Sequence, residues 1–184
     1  SALKKYFPNL VMFDSVLACG FSDGSALVEV PTLMMGGAAL QSGAISIPMG
    51  GKILEENRTF ASLIGPSQKA VISKLTEERH RVAKSFGVRN LPSPAKMIDT
   101  YGGSLRGDYS RPIPSQKMSK SLLRCGVIGS LVPLQSAGKI ANVQVPVTDA
   151  MITLASSILG ADVSAAGRRL EAIGIDSGDI DTAR

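Results

Sequence analysis

The sequence has no tryptophan and only 4% aromatic residues over 184 positions. Its core therefore has to be built from Leu, Ile, Val, Ala and Met, a mixture that favours helices packed on helices. The same shortage bears on function. Proteins that hold single-stranded nucleic acid interleave cationic residues with aromatic platforms on which bases stack. Here the net charge is +5 and the pI about 9.4, yet the basic residues are scattered, apart from Arg79-His80-Arg81 and residues 117–124. No aromatics alternate with them, so no nucleic-acid partner is expected.

Cysteine is scarce as well. Cys19 and Cys125 lack metal-ligand spacing, and no metal site is expected. Reduced, packed thiols in a cytoplasmic protein are the plain expectation, and a disulfide between the two stays open at this level. No uncharged apolar run is long enough to span a bilayer and no secretory leader pattern is seen, so no membrane partner is expected. The chain opens on Ser1 rather than Met, as expected of a processed chain or an expressed fragment. It also lacks a Gly-x-Gly-x-x-Gly turn between a strand and a helix, the fingerprint of a dinucleotide-binding domain. Gly36-Gly37 and Gly50-Gly51 read as turns or, more sharply, as points of close approach for the nicotinamide end of a cofactor.

What is present suffices for one domain with its own core: 44% of the residues are apolar. Residues 4–21, with Pro8, Asn9 and Asp14, read as a linker containing a short strand over 10–13. Residues 26–40 predict a buried helix with Pro31 near its start and Gly36-Gly37 inside it. Residues 43–65 are glycine-rich and predict a surface loop or hairpin. The clearest helix is predicted over 66–86. Pro66 suits its first position, Gly87 its end, and Ile72, Leu75, Arg79, Val82 and Phe86 recur at helical spacing. Glu77 and Glu78 are expected on its exposed side, facing Arg81. Residues 89–114 carry too many prolines and glycines for one regular element, with a short helix over 95–101. Further helices are expected over 119–125, 133–141 and 146–159. In the last, Ala150, Leu154 and Ile158 form the apolar stripe, widened by Met151 and Ala155. Asp162 or Ser164 is expected to cap a final helix ending at Gly174, and the tail over 176–184 is expected to fray.

Three blocks carry a resemblance. The first is Gly65-Pro66-Ser67, then Glu77-Glu78-Arg79 and Ala83-Lys84-Ser85-Phe86-Gly87-Val88. The second is Leu131-Val132-Pro133-Leu134 with Ser136-Ala137-Gly138-Lys139. The third is Val145-Pro146-Val147-Thr148-Asp149-Ala150, Leu159-Gly160 and Gly167-Arg168-Arg169-Leu170-Glu171. In order and spacing the chain resembles the octopine/nopaline (opine) dehydrogenases over nearly all of residues 20–175, matching their C-terminal helical domain. The resemblance implies an all-α substrate and dimerisation domain like the C-terminal domain of 6-phosphogluconate-dehydrogenase-type enzymes. Residues 1–20 would then be the linker from a missing nucleotide-binding domain, residues 21–175 the helical domain and residues 176–184 the frayed tail. The implied reaction is the reductive condensation of an amino acid with a 2-oxo acid. The implied cofactor is NAD or NADP, held mainly by the absent domain. That domain and the two small-molecule substrates are the expected partners, with a homodimer as an option.

The chemistry asks for a group that moves a proton, and a His polarised by a carboxylate suits it. The family has that His just before a proline in an apolar helix and the Asp just upstream of the Leu-Val-Pro block. Here those positions hold Val30 and Gly126. The one His of the chain, His80, falls off the apolar stripe of its helix and reads as a solvated side chain between two arginines. Lys120 is the leading substitute, because it sits in the segment that faces substrate in the family and a desolvated lysine can act as acid and base. Glu29, beside the expected His, is a second candidate. Lys117 and Arg124 are candidates for binding substrate, and Gly36 and Gly37 for approaching the cofactor. The plainer reading makes Lys117, Lys120 and Arg124 an ordinary solvated face. Two other functional readings remain: a non-catalytic helical module for binding or dimerisation, and a hydroxyacid or ketopantoate-type reductase domain using Lys120.

Overall fold

The structure, a computed structural model, describes residues 2–8, 12–36, 59–103 and 111–175. Among the described residues every named element is helical, and the fold is all-α as expected. An isolated antiparallel bridge joins Thr59 to Pro112. The α-helices are α1 (Val16–Ser22), α2 (Ser25–Met35), α3 (Pro66–Ser85), α4 (Pro94–Met97), α5 (Gln116–Gly126), α6 (Val132–Ile140) and α7 (Pro146–Leu159). Single 3-10 turns occur at Ala2–Lys5, Phe60–Leu63 and Leu170–Ile173, and π-helical segments at Ile98–Gly102 and Val127–Leu131.

Helix α2 is the hub. Ala26, Leu27, Val28, Val30, Pro31, Thr32 and Leu33 are all buried, so the helix is enclosed on nearly every side. It packs on α3, α5, α7 and both π-helical segments. Pro31 lies inside this helix rather than near its start, and its ring removes one backbone donor. Thr32 adds a local bond next to it, donating from Oγ1 to the Val28 carbonyl at 2.6 Å. Gly36 ends the helix; Gly37 and the remainder of the longer helix expected here lie outside the described residues, as does Gly50-Gly51.

Helix α3 runs as predicted, with Ile72, Leu75 and Val82 fully buried. Glu78, expected on the exposed side, is only 2% exposed. Its Oε1 accepts from the Val147 amide at 2.8 Å, and its Oε2 from the Thr148 amide at 2.9 Å and the Thr148 hydroxyl at 2.8 Å. Helix α7 begins at Pro146 and has no side-chain cap of its own. Glu78 supplies the missing acceptor from another helix, and its charge lies at the favourable end of the α7 dipole. This grip also sets which stripe of α7 turns inward. Thr148, Met151, Ile152 and Ala155 are buried, whereas Leu154 and Ile158, expected as core, are 51% and 42% exposed.

From α5 the chain continues in right-handed helical conformation through Val127–Leu131 into α6. Pro133 has no amide hydrogen to give back to this wider turn. The Ile128 carbonyl accepts instead from the Arg168 amide at 3.2 Å. The final helix expected up to Gly174 is therefore replaced by a turn and the short 3-10 segment at Leu170–Ile173. The physical reason is competition. The Arg168 amide serves Ile128, and the Leu170 amide donates to Ser136 Oγ at 2.8 Å, so neither extends a helix. Asp162 still caps locally, accepting from the Ala165 amide at 3.1 Å. Gly167 allows the close approach: a Cβ there would stand 2.2 Å from Val132 Cγ1.

At the front, Met12 and Phe13 belong to no strand, and residues 9–11 lie outside the described residues. Helix α1 starts where linker was expected, capped by Ser15 Oγ accepting from the Ala18 amide at 3.0 Å. It is held by Phe21, whose ring centroid is 6.0 Å from that of Phe86. Cys19 and Cys125 are free and both exposed, against the expectation of packed thiols. The segment expected as a surface loop ends in the Phe60–Leu63 turn, whose Phe60 is fully buried. No helix among the described residues is long and apolar enough to cross a membrane. The tail over 176–184 lies outside the described residues.

Replacing Glu78 with Ala leaves the part-buried Val147 amide and the buried Thr148 amide and hydroxyl without this acceptor, and is expected to cost about 3 kcal/mol in urea unfolding. A Gly167→Ala exchange forces the loop off Val132 and is expected to cost roughly 1–3 kcal/mol, read from the shift of the unfolding midpoint.

Candidate functional site

The helices α2 and α5 meet where a Cβ on Gly126 would stand 3.0 Å from Val30 Cγ2 and 3.3 Å from Ala26 Cβ. The two positions that the sequence aligned with a His and an Asp thus face each other directly. Their side chains leave no proton donor or acceptor there. Val30 is fully buried, and the absence of a Cβ at Gly126 lets the helices close tightly. The contact between the two positions is one of packing.

Glu29 projects beside this contact. Its Oε1 accepts from Arg111 Nη2 at 2.6 Å, with the two side chains 14% and 28% exposed. Arg111 also donates from Nη1 to the Tyr101 carbonyl at 2.9 Å, and its guanidinium carbon lies 4.2 Å from the centroid of the Phe60 ring. The Phe60 amide in turn donates to the Arg111 carbonyl at 2.7 Å. Glu29 is therefore a partner in an ion pair that ties α2 to the Thr59–Pro112 bridge.

Lys117, Lys120 and Arg124 are exposed on α5, on a strip apart from the buried Ser119, Leu123 and Val127. The fold does not bring them to Glu29 or to the cavity described next. Gly36 is half-buried at the end of α2, its amide donating to the Thr32 carbonyl at 2.9 Å.

A cavity of about 390 Å³ opens between α1, α2, α3, the Val127–Leu131 segment and the Leu170–Ile173 turn. Its walls are mostly apolar, among them Phe21, Leu27, Leu134 and Ala137, and Arg79 lines it. Arg79 was visible in the sequence as a member of the apolar stripe of α3, but not as a buried charge. It is 3% exposed. Its Nη2 reaches the Pro92 carbonyl at 3.4 Å and Met97 Sδ at 3.6 Å, whereas Nε and Nη1 have no partner among the described residues. Burial pushes its pKa down to about 10, opposed by Tyr101 and Asp23. A somewhat larger hollow of about 470 Å³ lies at the α6–α7 turn. It is lined by Gln135, bonded to Asp149 at 2.7 Å, and is more polar than the smaller cavity.

His80 is half-buried rather than solvated. Its Nε2 donates to the Pro92 carbonyl at 3.1 Å, fastening the segment before α4 to α3. Arg79 and His80 thus share the carbonyl of Pro92. Burial lowers the His80 pKa from 6.5, and the charge of Arg79 adds to this, while the bond to Pro92 opposes it.

In comparisons with known proteins no family model matches the chain. The chain is similar to an opine dehydrogenase of Arthrobacter sp. (strain 1C), with 26% identity over 178 residues, covering 91% of this chain and 46% of that protein. The chain thus spans less than half the length of the relative that it matches. The similarity supports a distant, opine-dehydrogenase-like relationship.

A histidine whose pKa is lower in the folded chain than the unfolded value of 6.5 favours the fold in its neutral form. Its contribution is complete above pH 6.5 and is lost as pH falls through the lowered value. Melting temperature is therefore expected to drop on acidification below pH 6.5, before the carboxylates titrate, and a His80→Gln variant is expected to lose that part of the slope. An imidazole titrating above 6.5 by NMR contradicts the assignment.

Proposed function

We propose that residues 21–175 form the substrate-side helical domain of an opine-dehydrogenase-like, NAD(P)-dependent oxidoreductase. The observation that carries this reading is the similarity over 91% of this chain to 46% of an opine dehydrogenase. The fold supports it by closing the resembling blocks on one another. Glu78 of the first bonds Val147 and Thr148 of the third, and Ser136 of the second bonds Leu170 of the third. Val30 and Gly126, read as the positions of the family pair, lie in contact, which is compatible with this reading.

On this reading the substrates are an amino acid and a 2-oxo acid, and residues 1–20 lead from a nucleotide-binding domain that lies outside this sequence. The described residues themselves do not fit a dinucleotide. No strand leads through a glycine turn into a helix, and the Gly36 amide is already engaged by Thr32. On the same reading the other domain holds NAD or NADP, and Gly36, at the end of α2, is the candidate for close approach to its nicotinamide end. A cytoplasmic location and a homodimer belong to the same reading.

Proton transfer then falls to a group other than the replaced pair. Glu29 is committed to Arg111. Lys120, exposed on α5, is the candidate, with Lys117 and Arg124 beside it for the substrate carboxylates. Covering by the second domain is what would desolvate Lys120 and make it useful as an acid or base.

The Val30–Gly126 contact favours a second reading, a helical binding module that has lost the chemistry. The deciding test is oxidation of NADH or NADPH by the natural full-length protein, offered 2-oxo acids with and without amino acids. Oxidation that needs both substrates, and that falls at least a hundredfold in Lys120→Ala, is the expected result for the enzyme reading. Oxidation with the oxo acid alone points to a hydroxyacid-type reductase. Full activity in Lys120→Ala removes the lysine from the mechanism, and no oxidation under any pairing favours the binding module.

A further inference from the structure

We infer that the hollow beyond the C-terminal end of α3, formed with the loop over residues 87–91, binds a phosphate group, as the free ion or as a phosphate monoester. The inference rests on this loop alone and stands whether or not the chain belongs to an oxidoreductase.

The loop is fastened at both ends. At one end the amides of Phe86 and Val88 donate to the Ala83 carbonyl at 3.1 and 2.9 Å, and the Gly87 amide to the Lys84 carbonyl at 3.0 Å. Gly87 stands at φ 77°, the reversal that closes a helix, and Val88 is buried behind it. At the other end His80 Nε2 donates to the Pro92 carbonyl at 3.1 Å. Between them Asn90 stands at φ 60°, in the left-handed region that Asn tolerates better than most residues.

Between the two fastenings the donors are unspent. Arg89, Asn90 and Leu91 make no hydrogen bond or ion pair among the described residues. Lys84, exposed on the last turn of α3, makes no ion pair among them either. These four residues, with His80 and Val88, line a hollow of about 250 Å³. No carboxylate of the described residues lines it. The acids of α3 are engaged elsewhere, Glu77 with Lys74 at 2.8 Å and Glu78 at the start of α7. Arg81 is turned to the Gln144 carbonyl at 3.3 Å.

Consecutive free amides around a left-handed residue, with an ammonium and a guanidinium beside them, make a concavity suited to an oxyanion. The number of donors selects its class. Three amides, a carboxamide, an ammonium and a guanidinium exceed what the two oxygens of a carboxylate can accept. A phosphate offers more acceptors, and a charge near −2 that answers both cations. The end of a helix dipole would repel an anion, but here the Ala83 and Lys84 carbonyls are already closed by amides.

His80 is the one histidine of the chain and lines the hollow, so its imidazole is a local reporter. Burial and the charge of Arg79 hold its pKa below 6.5, against the bond to Pro92. A phosphate beside it favours the imidazolium. The NMR titration of His80 in the 184-residue chain is therefore expected to move to higher pH when phosphate replaces chloride at equal ionic strength. The amide resonances of Arg89, Asn90 and Leu91 are expected to shift saturably with phosphate, and acetate is expected to leave them in place. Lys84→Gln and Arg89→Gln alter exposed side chains. Each is expected to weaken phosphate binding roughly tenfold with the melting temperature unchanged. Tighter binding of inorganic phosphate than of methyl phosphate assigns the free ion, and the reverse order a monoester; either supports the site. A His80 titration identical in phosphate and chloride, an equal response to acetate, or undiminished phosphate binding in the double variant overturns it. Nicotinamide oxidation plays no part in these readouts, so failure here and failure of the enzyme reading are separable.

Discussion

The buried carboxylate of Glu78 holds the two halves of this fold in register. It takes two amides and a hydroxyl at the start of α7, a helix that begins at a proline and has no capping side chain of its own. A cap supplied from 69 and 70 residues away does more than satisfy donors. It fixes the rotation of α7 about its axis, and so decides that Met151, Ile152 and Ala155 enter the core while Leu154 and Ile158 stay outside. A low-dielectric site strengthens each of these bonds and makes the loss of any partner expensive.

Around that anchor the packing depends on close approach. Gly126 lets α5 settle on α2, and Gly167 lets the last segment lie on Val132. Gly138 plays the same part at the α6–α7 turn, where a Cβ would stand 2.8 Å from the Val143 carbonyl. Proline supplies the complement. Pro133 leaves a carbonyl of the π-helical segment free, and the amide of Arg168 fills it. The chain thus uses missing atoms, a Cβ in one place and an amide hydrogen in another, to bring distant segments into contact. Gly138, Pro133, Val132, Gly167 and Arg168 are all residues of the second and third resembling blocks, so these two blocks meet through such contacts.

The polar groups left after that accounting separate structure from function. Glu29 and Arg111 satisfy each other, and His80 holds Pro92. Arg79 is different, since two of its nitrogens face no acceptor among the described residues. The fold thus carries one well-satisfied buried acid and, beside it on α3, one poorly satisfied buried base. Val30 and Gly126 meet in an apolar contact, in a chain distantly similar to an opine dehydrogenase.

The sequence determined that the protein is helical, and where most helices lie. Scarce aromatics, Pro66 and Pro146 at helix starts and Gly160 after the end of α7 act through neighbouring residues only, so their effects are legible without a fold. Tertiary structure decided the rest. Periodicity announced a stripe on α7 but could not say which side would be pulled inward, because Glu78 does the pulling from another helix. The final helix had a plausible cap and length, yet Ile128 and Ser136 captured its amides. Arg79 and Glu78 carry charges, and a charge in a sequence reads as solvent-facing until a partner, or the lack of one, appears in space. Side-chain burial and the pairing of buried charge are properties of the assembled fold, and so the candidate site emerged only there.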